Sequence, residues 1–209
     1  MGGKNANYGP ESLPEDYLQM LRGLEDAYLT HDDPIRQSGF SGGEERWKNE
    51  RGIILDTVTE NGSFLDIGCA NGYLLECLVD WAKLKGVTLT PYGVDMGPRL
   101  IELAQQRFPQ YASNFWVANA WDWRPPRKFR YVYALHDCVP EDYLIPWVRR
   151  LFAHHVEPGG TLIVSAYGSR SENYPPRDIA GELRAHGFPV TGSAYGGNPP
   201  VTTVAWIKT

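Results

Sequence analysis

The sequence predicts an α/β protein: a seven-stranded, mostly parallel sheet with helices on both faces, closed by an antiparallel C-terminal hairpin and preceded by a small helical N-terminal extension. Three observations predict it. Strand-length apolar runs alternate with segments of helical periodicity between residues 64 and 186, the order a parallel sheet with crossover helices requires. The last two strand-like runs, 189–193 and 202–208, are joined by a Gly/Asn/Pro turn with no helix between them, which makes them antiparallel neighbours. The 209 residues, 42% hydrophobic and 22% charged, suit one domain with a full-sized core.

The elements follow in order. Residues 1–13 are rich in Gly, Asn, Ser and Pro and are expected to be loose. Pro14 suits the first turn of a helix that carries Tyr17, Leu18, Leu21, Leu24 and Tyr28 at helical spacing and ends at Asp32-Asp33-Pro34. A flexible loop over 36–43 leads to a second helix through about Thr57, with Ser41 and Glu44 as its capping box. Asn61-Gly62 turns into a strand at 64–67, and a helix over 72–83 follows. Then come a strand at 90–94, a helix at 98–107, and strands at 114–118 and 131–135. A helix at 142–152, a strand at 161–166 and a helix at 177–186 precede the closing hairpin. Two units result: a helical extension or lid over 1–50 and the main domain over 51–209.

Charge and cysteine usage narrow the function. The net charge is −5, and the whole excess lies in residues 1–50, with five Lys/Arg against ten Asp/Glu. A nucleic-acid backbone rewards dense Lys/Arg, so a nucleic-acid partner is disfavoured; the carboxylates suit a neutral or cationic small molecule, or simply a solvated face. The three cysteines, Cys69, Cys77 and Cys138, show no metal-ligand spacing, and their odd number argues against a disulfide framework. No apolar run is long enough to span a membrane and the N-terminus lacks the apolar core of a secretion signal, so a cytoplasmic setting is expected.

The chemistry concentrates in Phe64-Leu-Asp-Ile-Gly-Cys-Ala-Asn-Gly-Tyr-Leu-Leu-Glu, residues 64–76. This reads as a buried strand, a turn of small residues and the start of a helix, and such a backbone can press against a ligand. It holds no Gly-Lys-Ser/Thr and is not the Gly-x-Gly-x-x-Gly of nicotinamide folds. Asp95 closes the second strand 23 residues after Gly72, where a carboxylate can accept from both hydroxyls of a ribose. Asp66-x-Gly68-x-Ala70-x-Gly72 at a strand end resembles the first motif of class I S-adenosylmethionine-dependent methyltransferases. Asp95, Val117-Ala-Asn-Ala-Trp, Tyr133-Ala-Leu-His and Val156-Glu-Pro-Gly-Gly-Thr extend the resemblance in register over 64–166.

The resemblance implies a cofactor, S-adenosyl-L-methionine, and places its contacts. Asp66, Gly68, Cys69, Ala70 and Gly72 form the cofactor loop, Asp95 takes the ribose, and Met96, Asn119 and Ala120 flank the adenine. Leu135 and His136 stand beside the methionine part, facing the substrate. The family commonly has Asp where this chain has Asn119, whose amide carbonyl can accept the same bond. It often has Phe-Asp where this chain has Phe129-Arg130, a change that bears on local packing. Trp121 reads as an adenine cover or as core, and Asp122 as an alternative adenine contact.

Methyl transfer from a sulfonium needs alignment and exclusion of water, plus a base where the nucleophile arrives protonated. His136 is the first candidate for that base because its ordinary pKa lies near neutrality; Asp137, His31 and Tyr28 follow. Phe40, Arg46 and Trp47 of the extension can wall the sulfonium or meet the cofactor carboxylate, with Trp47 equally readable as a packing anchor. The basic cluster Arg124, Arg127, Lys128 and Arg130 reads as a solvated loop, and His154, His155 and His186 as structural. Three functions stay open: a small-molecule methyltransferase, an RNA or protein methyltransferase, and a non-catalytic cofactor-binding protein of the same fold.

Overall fold

Strands buried on both faces need apolar side chains at every position, and the central runs of this chain supply them. In the computed structural model, which describes residues 12–169 and 174–209, they form β1 (Gly62–Ile67), β2 (Leu89–Asp95), β3 (Phe115–Val117), β4 (Phe129–Leu135) and β5 (Val156–Tyr167). The closing hairpin is β6 (Val190–Gly196) and β7 (Thr202–Lys208). Among the described residues these make one seven-stranded sheet in the order β3-β2-β1-β4-β5-β7-β6. The first five strands are mutually parallel, and β7 runs antiparallel between β5 and β6.

The period of two sorts the side chains into two cores. Leu65, Ile67, Val132, Ala134, Leu162 and Val164 face one layer with Leu144, Trp147 and Leu151. Phe64, Tyr131, Tyr133 and Ile163 face the other with Ile54, Leu75, Leu78 and Ile101. The helices that cover these faces are α1 (Glu15–Tyr28), α2 (Glu44–Arg51), α3 (Tyr73–Leu84), α4 (Pro98–Arg107), α5 (Leu144–His154) and α6 (Ile179–Ala185). No α1 side chain is fully buried; Tyr17 and Leu18 pack against the first core, while Leu21, Leu24, Glu25 and Tyr28 reach over the sheet's carboxyl end.

Several local expectations are corrected. The N-cap of α2 is Gly43 with no side-chain bond, so Ser41 and Glu44 do not form a capping box. The helix stops at Arg51, and residues 52–57 continue as a tighter 3₁₀ helix rather than as one long helix to Thr57. A short 3₁₀ turn at Arg36–Ser38 interrupts the expected loop. Most strands are longer than their apolar runs; β5 begins at Val156 because Pro158-Gly159-Gly160 stays in the strand. The expected loose segment at the N-terminus lies, for residues 1–11, outside the described residues. No described helix is long and apolar enough to cross a membrane.

Strand order reverses between β1 and β4: successive connections run outward to β2 and β3 on one side and to β5 on the other. Open α/β sheets place ligands in the crevice at the carboxyl ends beside such a reversal.

Candidate active site

Two adjoining cavities, of about 150 and 230 Å³, occupy that crevice. The first is built from strand ends. Gly68 and Ala70 come from the loop after β1, Asp95 and Met96 from β2, Asn119 and Ala120 from the segment after β3, and Leu135 from β4. Leu21, Leu24, Glu25 and Tyr28 of α1 roof it. The second shares Gly68, Ala70, Leu135, Tyr28, Ser38 and Asp137 with the first and runs towards α2. Asp66, Cys69, Arg46, Arg51, Tyr133 and Tyr167 are among its walls.

The β1 loop is held for close approach. Gly68 adopts φ +82° and donates its N–H to the Val94 carbonyl at 2.8 Å; Ala70 also has positive φ, at +46°. Gly68 is exposed, so bare backbone forms the floor of the cleft. Asp95 ties this loop to the start of α4: one carboxylate oxygen accepts from Ala70 N–H at 2.9 Å, the other from Gly97 N–H at 2.8 Å. Each oxygen keeps a further acceptor position, enough for a vicinal diol. Desolvation raises the Asp95 pKa, with the backbone N–H groups opposing it.

Of the sequence-derived candidates, Asp66, Gly68, Cys69, Ala70, Asp95, Met96, Asn119, Ala120 and Leu135 line these cavities. Asn119 spends one carbonyl lone pair on Trp121 N–H at 2.8 Å, which leaves one acceptor position and its two amide donors. Gly72 is not a lining residue. It is the N-cap of α3 at φ +75°, and a Cβ there would meet Ala104 Cβ at 3.0 Å, so its smallness serves helix packing. His136 is absent from both cavity walls. It sits in a 3₁₀ turn over His136–Cys138 that brings Asp137 and Cys138 to the cleft instead. Its Nδ1 is buried without a hydrogen-bond partner among the described residues, and desolvation lowers its pKa, with Arg177 adding to that and Asp137 and Glu182 opposing it.

Trp121 is core: it is fully buried, with the Arg150 guanidinium over its ring at 4.2 Å. Asp122 is exposed and lines neither cavity. The basic loop also stays away from the cleft, with Arg130 paired to Glu60. Trp47 is both wall and anchor: it lines the second cavity while its indole N–H donates to Cys77 Sγ at 3.3 Å.

Arg51 and Glu25 are site residues that sequence reasoning missed. Arg46 is neutralised by Glu50 at 2.7 Å, whereas Arg51 forms no salt bridge among the described residues. The Arg51 guanidinium is buried over Tyr167 (4.1 Å), Phe40 (4.8 Å) and Trp47 (5.2 Å) and donates to Thr202 Oγ1 at 3.3 Å. A rigidly held cation in a polar cavity is suited to a carboxylate. Asp66, wholly buried near Asp95, has its pKa pushed up to about 8 by desolvation and by Asp95, against the pull of Arg51. Glu25 caps α4 from α1: its Oε1 accepts from Arg99 N–H at 2.7 Å, where the helix's own N-cap, Gly97, offers no side chain. With the Tyr17 hydroxyl donating to the Asp137 carbonyl at 2.6 Å, this latches α1 over the cleft at both ends. Among the described residues no cluster of three or more His, Cys, Asp or Glu is placed to hold a metal.

No protein-family model matches the sequence, and no curated protein matches it either. Solved structures do share its fold. The N-methyltransferase NodS from Bradyrhizobium japonicum, crystallised with S-adenosylhomocysteine, superposes with a TM-score of 0.68 at 14% identity over 90% of this chain and 97% of that one. The 1,6-didemethyltoxoflavin-N1-methyltransferase of Burkholderia thailandensis, crystallised with 1,6-didemethyltoxoflavin and S-adenosylhomocysteine, gives 0.64 at 17% identity, covering 96% of this chain and 92% of that one. A SAM-dependent methyltransferase from Aquifex aeolicus gives 0.57 at 16% identity over 88% and 97%. The chain thus has the α/β fold of class I S-adenosylmethionine-dependent methyltransferases.

Proposed function

We propose that the protein transfers a methyl group from S-adenosylmethionine to a small-molecule acceptor. The observation that carries this reading is Asp95: a carboxylate at the end of β2, oriented by two backbone N–H groups, with acceptor positions left for a ribose diol in a cleft floored by bare Gly68 backbone. The cleft fits the group: an apolar slot with Met96, Asn119 and Ala120 suits the adenine, and Arg51 suits the carboxylate of the methionine tail. This assigns to Arg51 the role first considered for Arg46, which Glu50 neutralises. The sulfonium supplies an activated methyl, and the chain contributes alignment and shelter from water.

Residues up to about 50 act as a lid, because α1 and the loop at 38–41 roof the cleft. A small acceptor follows from that enclosure, and the acidic lid disfavours nucleic acid. Two of the neighbours of the same fold were crystallised with S-adenosylhomocysteine, the Burkholderia enzyme with 1,6-didemethyltoxoflavin as well, which agrees with this reading. The three free cysteines fit a reducing compartment. Incubation with methyl-labelled S-adenosylmethionine and a metabolite extract, total RNA or total protein tests the proposal. Label is expected in the low-molecular-weight fraction; transfer only to RNA or protein contradicts it.

A further inference from the structure

A third, open groove of about 330 Å³ lies outside the lid, lined by Ala27, Tyr28, His31, Arg36 and the segment Gly39–Ser41. Tyr28 alone lines all three spaces. Its ring is pressed to the backbone by a left-handed glycine: a Cβ at Gly39, φ +80°, would sit 2.5 Å from the Tyr28 hydroxyl oxygen. That hydroxyl makes no hydrogen bond among the described residues, and burial pushes its pKa up to about 12, so it stays a neutral donor and acceptor.

Resting on the methyltransferase reading, the reacting methyl has a defined place. With adenosine in the first cavity and the methionine tail at Arg51 in the second, the sulfonium joining them would lie where the cavities meet. The polar side chains at that junction are Tyr28, Ser38 and Asp137. The Asp137 main chain is fixed by the Tyr17 hydroxyl, while its carboxylate is exposed to the cleft and forms no salt bridge among the described residues. The unpaired charge at the junction is acidic: Asp137 stands there and Asp95 lines the first cavity beyond it, Glu25 being paired with Arg99, and no cationic side chain is among that cavity's walls. In the second, Arg46 is paired and Arg51 is committed to the carboxylate. The groove wall is apolar at Ala27 and Phe40, with Arg36 exposed at its rim.

We propose that the acceptor is an amine on a compact apolar body, that it enters along this groove past Tyr28, and that Asp137 holds and deprotonates it. The ammonium gives one proton to the Asp137 carboxylate. The freed nitrogen lone pair forms the new C–N bond as the methyl–sulfur bond breaks, and that electron pair stays on sulfur, leaving S-adenosylhomocysteine and a methylated ammonium. Asp137 then returns its proton to solvent, to which it is open. Tyr28 positions the amine through its hydroxyl. Desolvation by the cleft walls raises the Asp137 pKa, against His136 and Arg51, which favours proton uptake.

The test uses the full chain, labelled S-adenosylmethionine and three probes that share a phenethyl body: phenethylamine, 2-phenylethanol and 3-phenylpropionate. S-adenosylhomocysteine affinity is measured on the same samples by calorimetry, so failure of the methyltransferase reading registers there and separately. The wild type is expected to methylate the amine at least about tenfold faster, in kcat/KM, than either other probe. Asp137→Asn is expected to lower kcat on the amine about a hundredfold with S-adenosylhomocysteine affinity kept within about twofold. Tyr28→Phe is expected to raise KM for the amine with the same affinity retained. Preference for the carboxylate or the alcohol, no methylation of the amine by protein that binds S-adenosylhomocysteine, or full turnover in Asp137→Asn would each overturn the proposal.

Discussion

Replacing Gly72 by Ala separates a glycine that builds the scaffold from one that touches a ligand. Gly72 sits at φ +75°, where an L side chain costs about 1–2 kcal/mol. The added Cβ would stand 3.0 Å from Ala104 Cβ and 3.2 Å from its Cα, and the backbone of α4 cannot yield as a flexible side chain can. Overpacking of this kind costs about 1–3 kcal/mol. Together the variant is expected to lose about 2–5 kcal/mol of stability, read as a lower urea midpoint at unchanged slope. Because the methyl points at Ala104 and not into the cleft, affinity for S-adenosylhomocysteine should stay within about threefold. Gly68→Ala is the control: at φ +82° its strain is similar, and its Cβ meets only the Cys138 sulfur at 2.7 Å. That methyl intrudes on the exposed cleft floor, so affinity falls. Loss of binding in Gly72→Ala with stability intact would refute the packing role.

Three further outcomes follow from the site and the core. Asp66 titrates near 8 when folded and about 4 when unfolded, so between those values the folded chain holds a proton the unfolded chain lacks, and stability falls as pH rises, by at most about 1.4 kcal/mol per unit. Asp66→Asn should flatten that slope in urea titrations between pH 5 and 8.5 by comparison with the wild type, and identical slopes would contradict the assignment. His155 has the opposite sign: it is buried, neither ring nitrogen has a hydrogen-bond partner among the described residues, and desolvation lowers its pKa to about 4. Its contribution is present above about 6.5 and is lost as pH falls through the folded value, so His155→Phe should melt higher than the wild type at pH 5; an unchanged or lower melting temperature there would refute it. Arg51→Ala should weaken S-adenosylhomocysteine about tenfold or more while leaving 5′-methylthioadenosine, which lacks the amino-acid tail, within about twofold. Equal losses for both ligands would remove Arg51 from the carboxylate site.

The central sheet was legible because strands covered on both faces leave apolar-rich runs, as in Phe64 and Leu65 of β1, residues 131–135 of β4 and 162–164 of β5. The same locality made Gly68 and Asp95 readable, since each sits at a strand end within a few residues of its own signal. Helix starts in the lid were less legible. Ser41 and Glu44 have the spacing of a capping box, yet Gly42-Gly43 lets the chain enter α2 without using them. Arg51 and Glu25 acquire their roles from partners 151 and 74 positions away, Thr202 and Arg99, and nothing local marks either. His136 and Asp137 show a finer limit. Which of two adjacent polar residues enters the cleft depends on the sense of a three-residue 3₁₀ turn, and residue type alone pointed to the histidine. Gly72 was read as part of a ligand loop because its reason for being small, Ala104, lies on the next helix.

Calorimetric titration of the wild type and Asp95→Ala with S-adenosylhomocysteine tests the central claim most directly. With a ribose held by the Asp95 carboxylate, the wild type should bind in the micromolar range and Asp95→Ala at least about tenfold more weakly, the loss expected for hydrogen bonds to a charged group. Absence of binding to the folded wild type, or equal affinity in the two proteins, would contradict it.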